Sequence, residues 1–201
     1  MKYLATTTEL SESAEFFDSA ATFFGNFGKA FESVRCQILK VETRQSYIEP
    51  DNPSYEALAS GDWGLSMQLL EAAREVDRPL YDDLRNRGVD FLRCRPIKYP
   101  LTQYLKWEFN VYEYNSKHCE RIFCCNYDAV DTLFTENIGH DFMVFDSRIA
   151  FIHNYDENGL NKGGWMVTEL ESILSLQKLF VFLKSFCQPY QGFMHGGQSS
   201  N

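Results

Sequence analysis

Aromatic residues recur at three- and four-residue steps near the start of the chain. Phe16, Phe17, Ala20, Phe23, Phe24, Phe27 and Phe31 fall on one side of a 3.6-residue repeat, and acidic residues crowd its first turn. The pattern predicts a helix over residues 9–32, which Gly25 and Gly28 weaken or divide. An apolar stripe this wide must be covered. Packing against the rest of the domain is the ordinary solution. A protein partner is the other, and Phe16, Phe23 and Phe27 are then its contacts.

Beyond this segment the period changes. Residues 34–41 alternate as a strand. Pro50, Pro53, Gly61 and Gly64 punctuate a loop-rich stretch around a short helix at 55–60. A helix follows over 65–76. Pro79 then opens another, running to Arg87 before the stop at Gly88. Residues 89–97 read as a strand, and 101–117 as a helix begun by Pro100. A short strand at 121–125 and a short helix at 128–134 come next. Strands at 141–146 and 149–155 pair through a turn at Ser147 and Arg148. Asp156 to Gly159 marks a second hairpin, leading into a strand at 165–167. Residues 169–187 form a closing amphipathic helix. The expected fold is α/β (α+β): a mixed sheet of about five or six strands with helices packed on it. It is a single domain, with an N-terminal helix at 1–32, a core at 33–188 and a flexible tail at 189–201.

The patterning also exposes a polar centre. Phe91, Arg93, Arg95 and Ile97 share one face of their strand. In the helix that follows, Leu101, Tyr104, Leu105, Glu108, Phe109 and Tyr112 share one stripe, so a carboxylate lies inside an apolar face. An unpaired buried charge costs several kcal/mol, so Glu108 needs a partner. Arg93 and Arg95 are the nearest, because a helix directly after a strand folds back over the sheet. Asp141, Asp146, His153 and Tyr155 are expected to converge with them at one end of the sheet. Two readings stand. In one, this is a structural ion-pair network holding helix to sheet. In the other, the arginines hold a phosphate or carboxylate and Glu108 or His153 acts on it.

Composition narrows the function classes. The 201 residues include 17 Phe, so aromatic packing should dominate the core. A net charge of −9 disfavours direct nucleic-acid binding. No apolar run reaches the roughly 20 residues of a membrane span. The first residues lack the apolar segment of a secretion signal, which points to a cytoplasmic protein. Six cysteines contain no CxxC pair. Cys124 and Cys125 are adjacent, so a strand sends them to opposite faces, and with His118 and Cys119 they make a poor metal site. No metal and no cofactor are expected. GxGxxG, P-loop, HExxH and nucleophile-elbow motifs are all absent.

One run of residues resembles a known signature. Arg93, Arg95, Pro100, Leu101, Thr102, Tyr104, Leu105, Trp107 and Glu108 fit R-x-R-x-x-x-x-P-L-T-x-Y-L-x-W-E. That signature is similar to a bacterial family of unknown function, domain of unknown function 6879. Asp141-Phe-Met-Val-Phe-Asp146 is similar to its D-F-W-L-F-D, and Tyr155, Asp156 and Gly159 to its Y-D-x-x-G. The stretch from Leu39 to Tyr47 resembles its L-E-T-x-x-x-Y, and Asn115 and Glu120 fall where it carries Asn and Glu. The resemblance spans residues 23–185. It implies company with helix-turn-helix regulators and no established reaction. The Phe-rich start and the cysteine-rich middle depart from it. A weaker likeness is to phospholipase-D-type half domains, with their H-x-K-x-x-x-x-D strand. Here His140 precedes the strand, Phe142 replaces the lysine, and Asp146 is one position short.

These readings support a non-catalytic regulatory or protein-interaction domain acting through a protein partner. One alternative is an enzyme or sensor binding a small phosphorylated or nucleotide ligand at the Arg/Glu centre. A further one is an acidic nucleic-acid mimic that inhibits a DNA-binding protein.

Overall fold

The computed structural model describes residues 14–134 and 141–196. The elements run β1 (Ala14–Phe17), α1 (Ala20–Ser33), β2 (Gln37–Val41), α2 (Pro53–Ala59), α3 (Trp63–Asn86) and β3 (Asp90–Ile97). They continue with α4 (Gln103–His118), β4 (Glu120–Asn126), two 3-10 turns (Tyr127–Ala129 and Asp131–Leu133), β5 (Phe142–Phe145) and β6 (Ile149–Tyr155). Last come β7 (Asn161–Val167), α5 (Leu170–Lys184), β8 (Gln188–Pro189) and α6 (Tyr190–Gly196).

The strands form one mixed sheet in the order β1-β7-β6-β5-β2-β3-β4-β8. β2, β3 and β4 are parallel neighbours, which is why helices must connect them. β5, β6, β7 and β1 continue antiparallel from β2. The sheet is therefore α/β as expected, with eight strands rather than five or six. The two additions are the edge strands β1 and β8, of four and two residues.

Both faces of the sheet are covered. α5 packs on one, where Ile173, Leu176, Leu179, Phe180 and Leu183 meet Leu92, Cys94, Val144 and Ile152. The other face carries α1 over β5 and β6, and α4 and α6 over β3 and β4. α2, α3 and α4 share a further cluster with Tyr47 of the loop before α2: Tyr47, Leu70, Tyr104 and Trp107, with Tyr55 and Leu58 of α2 packed against them. The alternation of β3 sorts its residues accordingly: Leu92 and Cys94 face α5, while Phe91, Arg93, Arg95 and Ile97 face α1 and α4.

Several expectations are corrected. The helix placed over 9–32 begins only at Ala20, capped by Ser19, whose side chain accepts from the Thr22 N–H. Phe16 and Phe17 belong to β1 and pair with Trp165 and Gly164; residues 9–13 lie outside the described ones. Part of the aromatic stripe packs on the chain's own sheet, while Phe16 and Phe24 remain 49% and 44% exposed. Phe23 is fully buried and meets the Phe151 ring edge-on at 5.5 Å, and Phe27 meets Phe145 at 5.6 Å. Phe23 thus presents no free surface, Phe27 is partly buried, and Phe16 rests on Trp165 at 4.9 Å with half of its surface exposed.

Pro79 does not open a second helix. It lies inside the single helix α3, whose exposed side there lets water take the carbonyl that loses its N–H partner. The β5–β6 turn is shifted by one: Asp146 and Ser147 hold φ of 50° and 56°, and the Arg148 N–H closes onto the Phe145 carbonyl. The tail expected from 189 is structured as far as Gly196, and Tyr190 and Phe193 are buried against Phe109, Tyr112 and Cys124.

Candidate functional site

The polar centre forms where β3 leaves the middle of the sheet. Arg95, with no exposed surface, lies under α4. Its Nε donates to Glu108 Oε2 at 3.1 Å and to the Tyr112 hydroxyl at 3.0 Å, and its Nη2 donates to Glu108 Oε2 at 2.9 Å. Its Nη1 donates to the carbonyls of Glu42 and Arg44 at 3.2 and 2.5 Å. Arg93 sits one pleat earlier. Its Nε and Nη2 reach Glu120 Oε1 at 2.9 and 2.8 Å, and its Nη1 reaches Glu42 Oε2 at 2.6 Å. The Tyr112 ring lies against it, 4.8 Å from guanidinium carbon to centroid. Asn115 donates to the other Glu120 oxygen at 3.0 Å, and Lys40 binds Glu42 Oε1 at 2.7 Å.

The electrostatics follow from burial against pairing. Burial would raise the Glu42 carboxyl, but Arg93, Lys40 and Arg95 together outweigh it and hold it well below the usual range. For Glu108 burial wins over the attraction of Arg95, and its carboxyl is raised. Burial would weaken the arginines as bases. Glu120 and Glu42 overcome this for Arg93, and Glu108 with Tyr112 for Arg95, so both stay protonated. Every guanidinium nitrogen of both arginines is engaged inside the protein. Neither presents a fork to an incoming phosphate.

A cavity of about 630 Å³ opens beside this network, between α1 and the end of β2. Lys40, Val41 and Glu42 form its floor, with Met143 of β5 and His153 and Tyr155 of β6. Ala20, Ala21, Phe24 and Phe27 of α1 form one wall. The segment Tyr47 to Asp51, with Tyr104 of α4, forms the other. Arg93 and Arg95 do not line it; the Tyr47 ring stands over Arg95 at 5.7 Å.

Asp141 lies at the base of this cavity. Thr43 donates to its Oδ1 through N–H at 2.6 Å and through Oγ1 at 2.9 Å, and the Tyr47 hydroxyl donates to Oδ2 at 2.5 Å. Burial is the largest influence and raises its carboxyl despite these donors. Tyr104 donates its hydroxyl to Glu49, whose other oxygen takes the Asn52 amide at 2.7 Å. His153 stacks parallel to Tyr155 at 5.8 Å and touches Asn161 through Nδ1 at 3.3 Å. Desolvation first, then Lys40, push its pKa down to about 3, so the ring stays neutral.

The structure thus brings Arg93, Arg95 and Glu108 into one buried network, and Tyr104, Asp141, His153 and Tyr155 around one cavity beside it. It does not bring Asp146 there. That residue sits at the far end of β5, where its carboxylate accepts the N–H groups of Arg35, Cys36 and Gln37 at 2.7, 2.7 and 2.9 Å. These donors, with Arg148, hold it below its ordinary range although burial works against them. Glu42, Tyr47, Glu49 and Tyr112 are members that sequence reasoning did not place in the centre. Two carried a signal: Glu42 continues the Ile38–Lys40 alternation, and Tyr112 lies one turn after Glu108 on the same stripe. His140, the position compared with a phospholipase-type histidine, lies outside the described residues. Among the described residues no group of three or more His, Cys, Asp or Glu is arranged to hold a metal ion, and no helix is long and apolar enough to cross a membrane.

The fold and its braced centre define a mixed-sheet α/β domain. The profile of the domain of unknown function DUF6879 matches residues 25–195, and the chain belongs to that family. No curated protein matches it in sequence. Among solved structures it is similar to NucT from Helicobacter pylori, with TM-score 0.50 and 10% identity, over 88% of this chain and 98% of that one. It is similar to Nuc from Salmonella typhimurium, a phospholipase D family member, with TM-score 0.47 and 11% identity, over 81% and 86%. TrmBL2, an archaeal chromatin protein, matches with TM-score 0.45 and 9% identity; 88% of this chain covers 54% of it, about half its length. At these identities the likeness is one of fold alone.

Proposed function

We propose that this chain is a non-catalytic recognition domain with a regulatory role, which holds a small ligand in the cavity between α1 and the sheet and acts through a protein partner. The observation that carries this reading is the division of labour at the centre. The groups that resemble a catalytic set are consumed by one another in the Arg93/Arg95/Glu42/Glu108/Glu120 network. The cavity beside them is of ligand size, and among the described residues no Ser, Thr or Cys lines it. Its histidine is a weak base with a pKa near 3, far from the operating range of a general base. The net charge of −9 supports a protein rather than a nucleic acid as the partner.

The test is a thermal-shift panel of amines, nucleotides, sugar phosphates and carboxylates on the wild type and on Ala20→Trp, which fills the cavity mouth from α1. The expected result is that members of one class raise the wild-type Tm by several degrees and leave Ala20→Trp unmoved. Identical responses of the two proteins to every class would overturn the reading. So would hydrolysis of bis(p-nitrophenyl) phosphate by the wild type that is lost in His153→Ala.

A further inference from the structure

The lining of the cavity points to the charge of its occupant. Two carboxylates there are met only by neutral donors. Glu49 takes the Tyr104 hydroxyl and the Asn52 amide, and Asp141 takes Thr43 and Tyr47. Among the described residues neither forms an ion pair, whereas Glu42 is bracketed by Lys40 and Arg93. Among the described residues Lys40 is the one cation in the lining, and it is already spent on Glu42; Arg44 and Arg95, which stand over the Tyr155 and Tyr47 rings at 5.7 Å, are not part of the lining. An anionic ligand would therefore enter a site with carboxylates on two sides and, among the described lining residues, no uncommitted positive charge.

The second feature is an aromatic wall that runs without a break across the cavity. Tyr104 meets Tyr47 at 5.4 Å, Tyr47 meets Tyr155 at 5.2 Å, and Tyr155 stacks on His153 at 5.8 Å. Beyond His153 the wall continues into Phe27 at 5.7 Å and Phe24 at 6.2 Å. Ring faces attract cations, and the more so in a site shielded from water. Phe24 remains 44% exposed at the mouth, so the wall begins where a ligand would enter. A positively charged His153 would have opposed this chemistry, and the ring is neutral.

We propose that the cavity binds a small organic cation, a primary amine or quaternary ammonium on a flat apolar body, with its charge between Glu49 and Asp141 and its body along the Tyr47–Tyr155–His153 wall. This rests on the reading of the cavity as a ligand site and goes further by naming the ligand's charge. The volume of about 630 Å³ suits a body of one or two fused rings.

The experiment compares four probes by calorimetric titration: tryptamine, benzyltrimethylammonium, the neutral tryptophol and the anionic indole-3-propionate. Each is titrated into the wild type, Glu49→Gln and Ala20→Trp. Glu49 is partly buried and holds Tyr104 and Asn52; Gln keeps an oxygen that can accept from the Tyr104 hydroxyl and removes the charge, and the circular-dichroism melt of Glu49→Gln is compared with the wild type to confirm that it folds. The expected result is that the two cations bind the wild type at least tenfold tighter than tryptophol, and indole-3-propionate does not bind. Glu49→Gln should remove most of that preference while leaving tryptophol unchanged, and Ala20→Trp should abolish all binding. Equal binding of cation and neutral probe, or tighter binding of the anion, with loss of both in Ala20→Trp, overturns the charge assignment and leaves the ligand site standing. Binding of no probe, or binding indifferent to Ala20→Trp, overturns both.

Discussion

Arg95 is the residue on which the interior is organised. It brings a full charge to a position with no exposed surface, and it is tolerated because Glu108, Tyr112 and two backbone carbonyls share its donors. Such a pair contributes little net stability compared with apolar packing, yet removing one partner strands the other. Glu108→Gln and Arg95→Met should therefore each cost about 3–5 kcal/mol in urea unfolding. The double variant should cost much less than the sum, since no uncompensated charge remains. It should not regain wild-type stability, because Tyr112 and the Glu42 and Arg44 carbonyls lose their donor, at roughly 1–3 kcal/mol per orphaned group. Strict additivity of the two single costs would show that the pair does not act as a unit.

At the scale of elements, the glycines separate chain that is merely permissive from chain that is constrained. Gly25 and Gly28 lie on the exposed side of α1 with open space where a side chain would begin, and the helix runs through both without division. Replacing either with Ala should raise stability by about 0.5–1 kcal/mol. Gly163 and Gly164 on β7 are the opposite case. Their φ values are +112° and +155°, and a Cβ would fall 2.1 Å from the Phe17 carbonyl and 2.1 Å from the Ile152 carbonyl. These clashes are with backbone that pairs β1 and β6 to β7, so neither neighbour can yield. Gly163→Ala and Gly164→Ala should each lower Tm sharply while the α1 pair raise it; similar effects from all four would refute this account of the edge. The same contrast shows what the sequence discloses. The alternation of β3 and the stripe of α4 placed Arg95 and Glu108 on facing surfaces, because periodicity fixes the face. It could not place Asp141 and Asp146. They are five residues apart on an extended chain, which separates them by roughly 16 Å and turns them to opposite faces. β1 and β8 are too short to show a period, and the aromatic steps at 16 and 17 merged into those of α1. The cavity draws on α1, β2, β5, β6 and α4, and its shape exists only once those elements pack.

For the molecule as a whole, the network is sealed from outside by the last described helix. β8 pairs with β4 and delivers α6 onto α4, where Tyr190 is buried and donates its hydroxyl to the Phe109 carbonyl at 3.1 Å. The Tyr190 ring meets Tyr112 edge-on at 5.9 Å, on the tyrosine whose hydroxyl holds Arg95. A segment that composition assigns to a loose tail thus covers Tyr112 and, through it, the buried Arg95 network. Tyr190→Ala removes a buried ring and should cost about 3–5 kcal/mol by itself. Its second effect is on the network: water admitted beside Tyr112 would partly hydrate the Arg95 charge. Glu108→Gln should then cost less in the Tyr190→Ala background than in the wild type, with a coupling of about 0.5–3 kcal/mol in a double-mutant cycle. The sign distinguishes sealing from simple packing. Two independent packing losses would add, and a network that α6 supports only through geometry would make the second loss larger. A smaller second loss means that dryness, maintained from the edge of the sheet, is what makes the Arg95–Glu108 pair costly to break.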